Sequence, residues 1–311
     1  MHRYQQTKHA LGSTAYLTLV LGNKESPTEL FEALWRRIAA FEQRFSRFLP
    51  DSELSSFNAS AGTQQRISPE FRQLLTVARD MSKRTGGLYN PFVLPALQRA
   101  GYKGSWPEPH HIKKQLNYEQ RSEATGDDIK ISKTWVAIPT DTALDFGGIG
   151  KGYLLDEISD WLQAQAVQDY WISLGGDIVC AGLDEPGTPW VIVIQDALHE
   201  GVRAASVTND GRVLAVATSG VTKRHGVSAA GAWHHIIDPH TNRPADTDIL
   251  TATVCAASAT DADVFAKCLV ICGSAGAEEC MKLFGENNAL LQAVAGDGAS
   301  RLEKIGAVWS E

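Results

Sequence analysis

Cysteine is scarce in this chain, with five in 311 residues and none before Cys180. An odd set (Cys180, Cys255, Cys268, Cys272 and Cys280) excludes a disulfide framework for a chain this long. Cys268 and Cys272 share a helix-like stretch with Cys280 beyond, but no His lies among them, so a metal cluster is not expected. All five are read as small apolar residues. Positive charge is short as well. The 29 Lys and Arg are outnumbered by 36 Asp and Glu, a net charge of −7, which argues against a broad phosphate-tracking surface and hence against nucleic acid as a partner. No apolar run reaches membrane-spanning length. The segment Met1–Lys8 has no apolar leader core, and no early Cys offers a lipid attachment point. The expected compartment is the cytoplasm, or the periplasm if an export segment has been removed.

Core-forming residues are present in ordinary measure, at 43% hydrophobic and 21% charged. The length suits one large unit or two fused ones, but no Pro-, Gly- or Ser-rich linker and no fixed-period repeat divides the chain. Thr14–Leu21 reads as the first strand. Ser26, Pro27 and Glu29 form a helix start, followed by one apolar stripe of Leu30, Leu34, Ile38, Phe41, Phe45 and Phe48. Ser68-Pro69-Glu70 opens a second helix, and Gly86-Gly87 ends it. Residues 104–133 read as an irregular polar middle. Strands are expected at 135–138, 143–145, 171–174, 178–181, 191–194, 213–217, 250–256 and 290–295, with helices from Lys151 and from near Ser258. Short strands at hairpin-like spacing beside several helices predict an α+β fold.

The segment Leu144-Asp145-Phe146-Gly147-Gly148-Ile149-Gly150-Lys151-Gly152 joins a strand candidate to a helix through four glycines and a lysine. It is not a Walker loop, whose first glycine would fall on Asp145. It is not a dinucleotide fingerprint either, because Tyr153 stands where the last glycine belongs. The chemistry still suits an anion: converging backbone N–H groups, a helix N-terminus and the Lys151 charge. Glycine carbonyls in the same turn also suit a hard cation. A tight turn with Lys151 in solvent is the plainer alternative.

In Ser258–Lys267, Ser258 with Asp261 makes a capping box, so Asp261 is a helix-start residue. Asp263 lies one turn in and shares a face with Lys267. That pair is either a surface ion pair or, with Asp263 as ligand, part of a Mg²⁺ site. In Trp233-His234-His235-Ile236-Ile237-Asp238-Pro239-His240, a strand over 233–237 points adjacent His residues to opposite faces, which disfavours zinc.

Taken in order, these segments resemble the ApbE family, the FAD:protein FMN transferases. Carrying the resemblance are Leu11-Gly12-Ser13-Thr14, Phe45–Ser55 with Asn58, Thr85-Gly86-Gly87-Leu88-Tyr89-Asn90-Pro91, and Asp145–Gly152. Ser173–Asp177, Ala217–Gly220, His235–Pro239 and the Asp263 helix continue it. The blocks span nearly all of residues 1–311, which are read as one ApbE-like domain with mixed or antiparallel sheets and packed helices.

The resemblance implies an FAD-binding fold and Mg²⁺-dependent transfer of FMN from FAD to a Ser or Thr hydroxyl of an acceptor flavoprotein, with release of AMP. By position, Leu11, Phe48, Leu88, Tyr89, Asn90, Asp145, Lys151 and Ile237 would line the FAD site, and the Gly148 carbonyl and the Asp263 carboxylate would hold Mg²⁺. Such transfer depends on positioning and charge neutralisation. His235 is the expected base for the acceptor hydroxyl, with Asp263 as the other catalytic residue. Two departures stand out. Lys267 replaces the usual Thr four residues after the Asp, and a protonated Lys cannot ligate a cation. Either Lys267 swings out to solvent or its ammonium partly substitutes for the metal. Asn90 replaces the usual Asp. Hydrolysis of FAD to FMN and AMP, or FAD binding without catalysis, are the alternative functions.

Overall fold

The structure, a computed structural model, describes all residues except 24–25, 103, 105–122, 186, 229–230, 286–287, 296–299 and 311. Its centre is an eight-stranded antiparallel sheet. The strands are β1 (His2–Ala10), β2 (Ser13–Leu21), β3 (Asp169–Leu174), β4 (Asp177–Ala181), β7 (Leu214–Gly220), β8 (Ile249–Ala256), β9 (Ala289–Val294) and β10 (Ser300–Ile305), lying side by side in that order. Three further strands, β5 (Val191–Gln195), β6 (Arg203–Thr208) and β11 (Trp309–Ser310), form a small second sheet in the order β11-β6-β5. Among the described residues, six α-helices complete the frame: α1 (Pro27–Phe45), α2 (Glu53–Ala59), α3 (Pro69–Arg84), α4 (Leu94–Ala100), α5 (Gly150–Ala164) and α6 (Ala259–Phe284).

Strand periodicity explains the layering. Leu19, Val179, Ala215, Val254 and Leu291 face the helices, while their neighbours Val20, Cys180, Val216, Cys255 and Leu290 pack against Trp190, Ile192, Val207 and Trp309 of the small-sheet layer. Both faces are buried, so these central strands carry near-continuous apolar runs rather than alternation.

The α+β expectation holds, with differences in detail. The polar segment His2–Ala10 is a strand, paired to β2 through a two-residue turn at Leu11-Gly12. It lies at the edge of the sheet, where one mostly exposed strand needs little apolar sequence. Helix α1 ends at Phe45, so Phe48 lies beyond the stripe, and Phe31 is buried in the first turns instead. Residues 143–145 are not a strand. Leu144 makes its backbone bonds to the Asn58 side chain, which leaves no ladder partner. The expected strand over 233–237 stops at His234. Of the polar middle, residues 105–122 lie outside the described residues. Ile131 and Val136 pair in a short ladder. The cysteine reading needs correction. Cys180, Cys255 and Cys268 are buried thiols, but Cys272 and Cys280 form a disulfide. Gly273, at φ 70°, breaks α6 between them, so they no longer follow straight-helix spacing.

Candidate active site

A cavity of about 790 Å³ opens at one end of the central sheet. Its wall is assembled from the Leu11-Gly12 turn, Phe48 after α1, Leu88 and Asn90 after α3, the Asp145–Lys151 turn, His235–Ile237, and Asp263 with Lys267 of α6. Every residue that the sequence nominated lines it except Tyr89, which is buried behind it with the Lys267 Nζ 5.9 Å from its ring centroid. The Leu11-Gly12 turn has φ of 55° and 66°. A branched residue at positive φ is strained, and here it aims Leu11 at the cavity mouth.

The glycine turn is positioned from two sides. Asp145 accepts the Gly147 N–H through Oδ1 at 2.8 Å and pairs through Oδ2 with the Arg47 Nε at 2.9 Å, with both side chains under a tenth exposed. Arg47 in turn stacks over the rings of Phe48 and Tyr102, 4.3 and 4.7 Å from their centroids. Helix α5 has no side-chain N-cap. The Gly152 N–H instead donates to Asp263 Oδ2 of α6 at 3.1 Å. A Cβ on Gly152 would overlap the Ala259 carbonyl and the Asp263 Cβ, so glycine is what lets the two helices meet there.

Of the Lys and Arg side chains that line the cavity, Arg224 and Lys267 lie within electrostatic reach of Lys151, and together the three are taken as its floor. Lys151 bonds the buried Asp177, whose other oxygen accepts the Thr218 N–H at 3.2 Å. Burial lowers the Lys151 pKa. Asp263 opposes that shift, and Arg224 and Lys267 reinforce it. Burial, then Arg224 and Lys267, lower His235 to about 3, so its ring is neutral at pH 7. Tyr89 is held well above its ordinary range by burial and by the carboxylates of Asp145 and Asp263, so its phenol keeps its proton.

Among the described residues, three buried side-chain atoms lack a hydrogen-bond partner: His235 Nδ1, Tyr89 Oη and Thr251 Oγ1. His235 and Thr251 line the cavity, and Tyr89 lies against Lys267. Sealed polar atoms without partners are costly, and their clustering here marks a place where a polar ligand completes the structure.

The two halves of the His pair separate, although the strand ends at His234 and strand alternation is not the cause. His234 hydrogen-bonds the Ala245 carbonyl at 3.0 Å, while His235 is part of the cavity wall. Asp261 pairs with Arg84 at 2.7 Å outside the cavity, as a helix-start residue would. Asn90 has a structural reason for being an amide. Its Oδ1 accepts the Phe92 N–H, and its Nδ2 donates to the Ala124 carbonyl at 2.8 Å, a bond that an aspartate cannot give. Arg47, Tyr102, Arg224 and Thr251 were not singled out in the sequence. The readable hints were Ser46 and Arg47 bracketed by Phe45 and Phe48, and the basic pair Lys223-Arg224 in a polar loop.

The Mg²⁺ donor set implied for Gly148 and Asp263 can be tested against this geometry. Among the described residues no group of three or more His, Cys, Asp or Glu could hold a metal. Asp263 Oδ2 already accepts a backbone N–H, and the Lys267 ammonium fills the space that a Cβ on Gly148 would need. An ammonium in that position repels a divalent cation and cannot ligate it. These residues do not fit Mg²⁺ at Gly148 and Asp263.

Similarity to known proteins runs along the chain. The FAD:protein FMN transferase of Treponema pallidum is 30% identical over 238 residues, covering 72% of this chain and 66% of that protein. The Haemophilus influenzae protein of the same name is 26% identical over 276 residues, covering 86% and 78%. Among solved structures, the flavin transferase ApbE from Vibrio cholerae superposes with a TM-score of 0.82 at 23% identity over 98% of this chain and 97% of that one. The ApbE protein from Thermotoga maritima gives 0.81 at 24% identity over 98% and 97%. The ApbE family model matches residues 11–291, and the chain belongs to the ApbE family.

Proposed function

We propose that this protein is an FAD:protein FMN transferase. It binds FAD as substrate and passes the FMN half to a Ser or Thr hydroxyl of an acceptor flavoprotein. The observation that carries this reading is that Lys151, Arg224 and Lys267 line one cavity together with the apolar side chains of Leu11, Phe48, Leu88 and Ile237. Cations at the floor suit a pyrophosphate, apolar walls suit flat ring systems, and the volume of about 790 Å³ admits a dinucleotide. The family relationship and the names of the curated relatives agree with it.

In the reaction, the acceptor hydroxyl oxygen attacks the phosphorus on the riboflavin side of the pyrophosphate. The bond from that phosphorus to the bridging oxygen breaks, and its electron pair leaves with AMP. Lys151 neutralises charge on the phosphates. His235 is neutral at pH 7, so its unpartnered Nδ1 is free of a proton or positioned to exchange one as the acceptor hydroxyl loses its own. The negative phosphates of bound FAD offset the Arg224 and Lys267 charges, which raises the proton affinity of His235 when the site is loaded. Mg²⁺ belongs to the family expectation. Because the Lys267 ammonium stands at Gly148, no step here is routed through the metal.

The test is chromatography of AMP and FMN after incubation with FAD and an acceptor flavoprotein. Lys151→Met is expected to lower AMP release by roughly a hundredfold, the usual loss for one electrostatic donor at a reacting group. Unchanged AMP release in that variant would remove Lys151, and with it this reading of the cavity floor.

A further inference from the structure

Lys267 is the one feature of the cavity that the expected chemistry does not absorb. It shares a face of α6 with Asp263, one turn on, and both side chains reach the cavity. Of the two arrangements open from the sequence, solvent or site, the structure holds the inward one. The ammonium lies against the Gly148 backbone and 5.9 Å from the buried Tyr89 ring, within the electrostatic reach of both Lys151 and His235. Glycine at 148 makes this possible, because any Cβ there would displace the Lys267 Nζ and Cε.

We propose that Lys267 is an internal cation that takes the place of a divalent metal, so that FAD cleavage by this protein does not require Mg²⁺. This inference rests on the FMN-transfer reading of the same cavity. The physical argument is one of charge and space. A pyrophosphate diester carries two negative charges, and around Asp263 the cavity already offers the Arg224 and Lys267 charges, while Lys151 is shared with Asp177 and Asp145 is paired with Arg47. A lysine is a compact point charge on a flexible stem, able to follow the charge that builds on the departing AMP oxygen. An ammonium beside Gly148 and a divalent ion between Gly148 and Asp263 exclude each other by contact and by repulsion.

The experiment uses the full chain, stripped with EDTA and loaded with FAD. Mg²⁺ uptake is measured by calorimetry and AMP release by chromatography, with and without MgCl₂. The native protein is expected to take up no Mg²⁺ and to release AMP at rates within twofold in EDTA and in MgCl₂. Lys267→Thr, which exchanges the ammonium for an oxygen ligand, is expected to bind Mg²⁺ and to become at least tenfold dependent on it. Lys267→Met, with neither charge nor ligand, should lose AMP release at least tenfold under both conditions while melting near the native temperature. Mg²⁺ uptake by the native protein as tight as by Lys267→Thr overturns the proposal, as does AMP release by the native protein that EDTA abolishes. If no protein releases AMP under any condition, FMN transfer fails as the function. The Mg²⁺ titrations then still decide whether Lys267 occupies the metal position, and the native protein's arm does so even if both variants misfold.

Discussion

Arg47 and Asp145 meet in the cavity wall at 2.9 Å, with 7% and 8% of their side chains exposed. A pair this enclosed is costly to break from one side, because the remaining charge keeps its desolvation cost without its partner. Arg47→Met is therefore expected to destabilise the fold by about 3 kcal/mol, read as a lower urea midpoint, and to weaken FAD binding. A midpoint within the scatter of the native protein would mean that Asp145 has another partner. His235 carries a second residue-scale expectation. Its folded pKa of about 3 lies below the unfolded value of about 6.5, so the unfolded chain takes up an extra proton between those limits. Stability is complete above the unfolded value and falls as pH drops toward the folded one. His235→Gln should flatten the slope of the urea midpoint against pH in that window, and an unchanged slope would show that the ring is not buried neutral. Legibility at this scale followed the chemistry. Lys151 and Asp263 stood out because charge in a glycine turn or at a helix start is informative on its own, whereas Asp145 and His235 took their expected roles from the family resemblance. Arg47 and Arg224 did not, because an arginine in a loop reads the same whether it faces solvent or a buried carboxylate.

Helix α6 sets the position of Asp263 and Lys267, and its start is held from α5. The Asp156 carboxylate accepts four hydrogen bonds, from Ser258 Oγ, the Ala259 N–H, the Thr260 N–H and Thr260 Oγ1, at 2.6–2.9 Å. Helix N-termini favour such an anion, and hydrogen bonds to a charged group are the stronger kind. Asp156→Ala is expected to cost about 2–3 kcal/mol and to loosen FAD binding through α6, measured by thermal melts and flavin fluorescence titration. Full FAD affinity in a destabilised variant would separate the helix cap from the site. Helices α1, α3 and α6 could be read from their caps and stripes, and α5 from its apolar stripe after the glycine turn, because each signal is local. The disulfide could not, because it depends on the break at Gly273 inside an otherwise continuous apolar helix. Strand β1 escaped notice for the opposite reason, since a polar edge strand has no pattern that separates it from a loop.

For the whole molecule, the sheet brings distant segments into one cavity. Leu11, Asp145, Lys151, His235 and Asp263 stand far apart in sequence and line one space because the strands run β2-β3-β4-β7-β8 and end beside α5 and α6. That convergence was legible only through the family resemblance. No spacing rule for a single chain says that residue 11 meets residue 263. Of the small sheet on the outer face only β5 was expected, and its packing could not be read, because a buried central strand looks the same whatever covers it. The central claim, that FMN is transferred rather than merely held, is tested most directly by intact-mass measurement of an acceptor flavoprotein after incubation with this protein and FAD, with AMP quantified in the same tube. The account predicts an acceptor carrying one covalent FMN on a Ser or Thr, with one AMP released per adduct. An unmodified acceptor beside intact FAD retained on the protein, with no AMP, would contradict it.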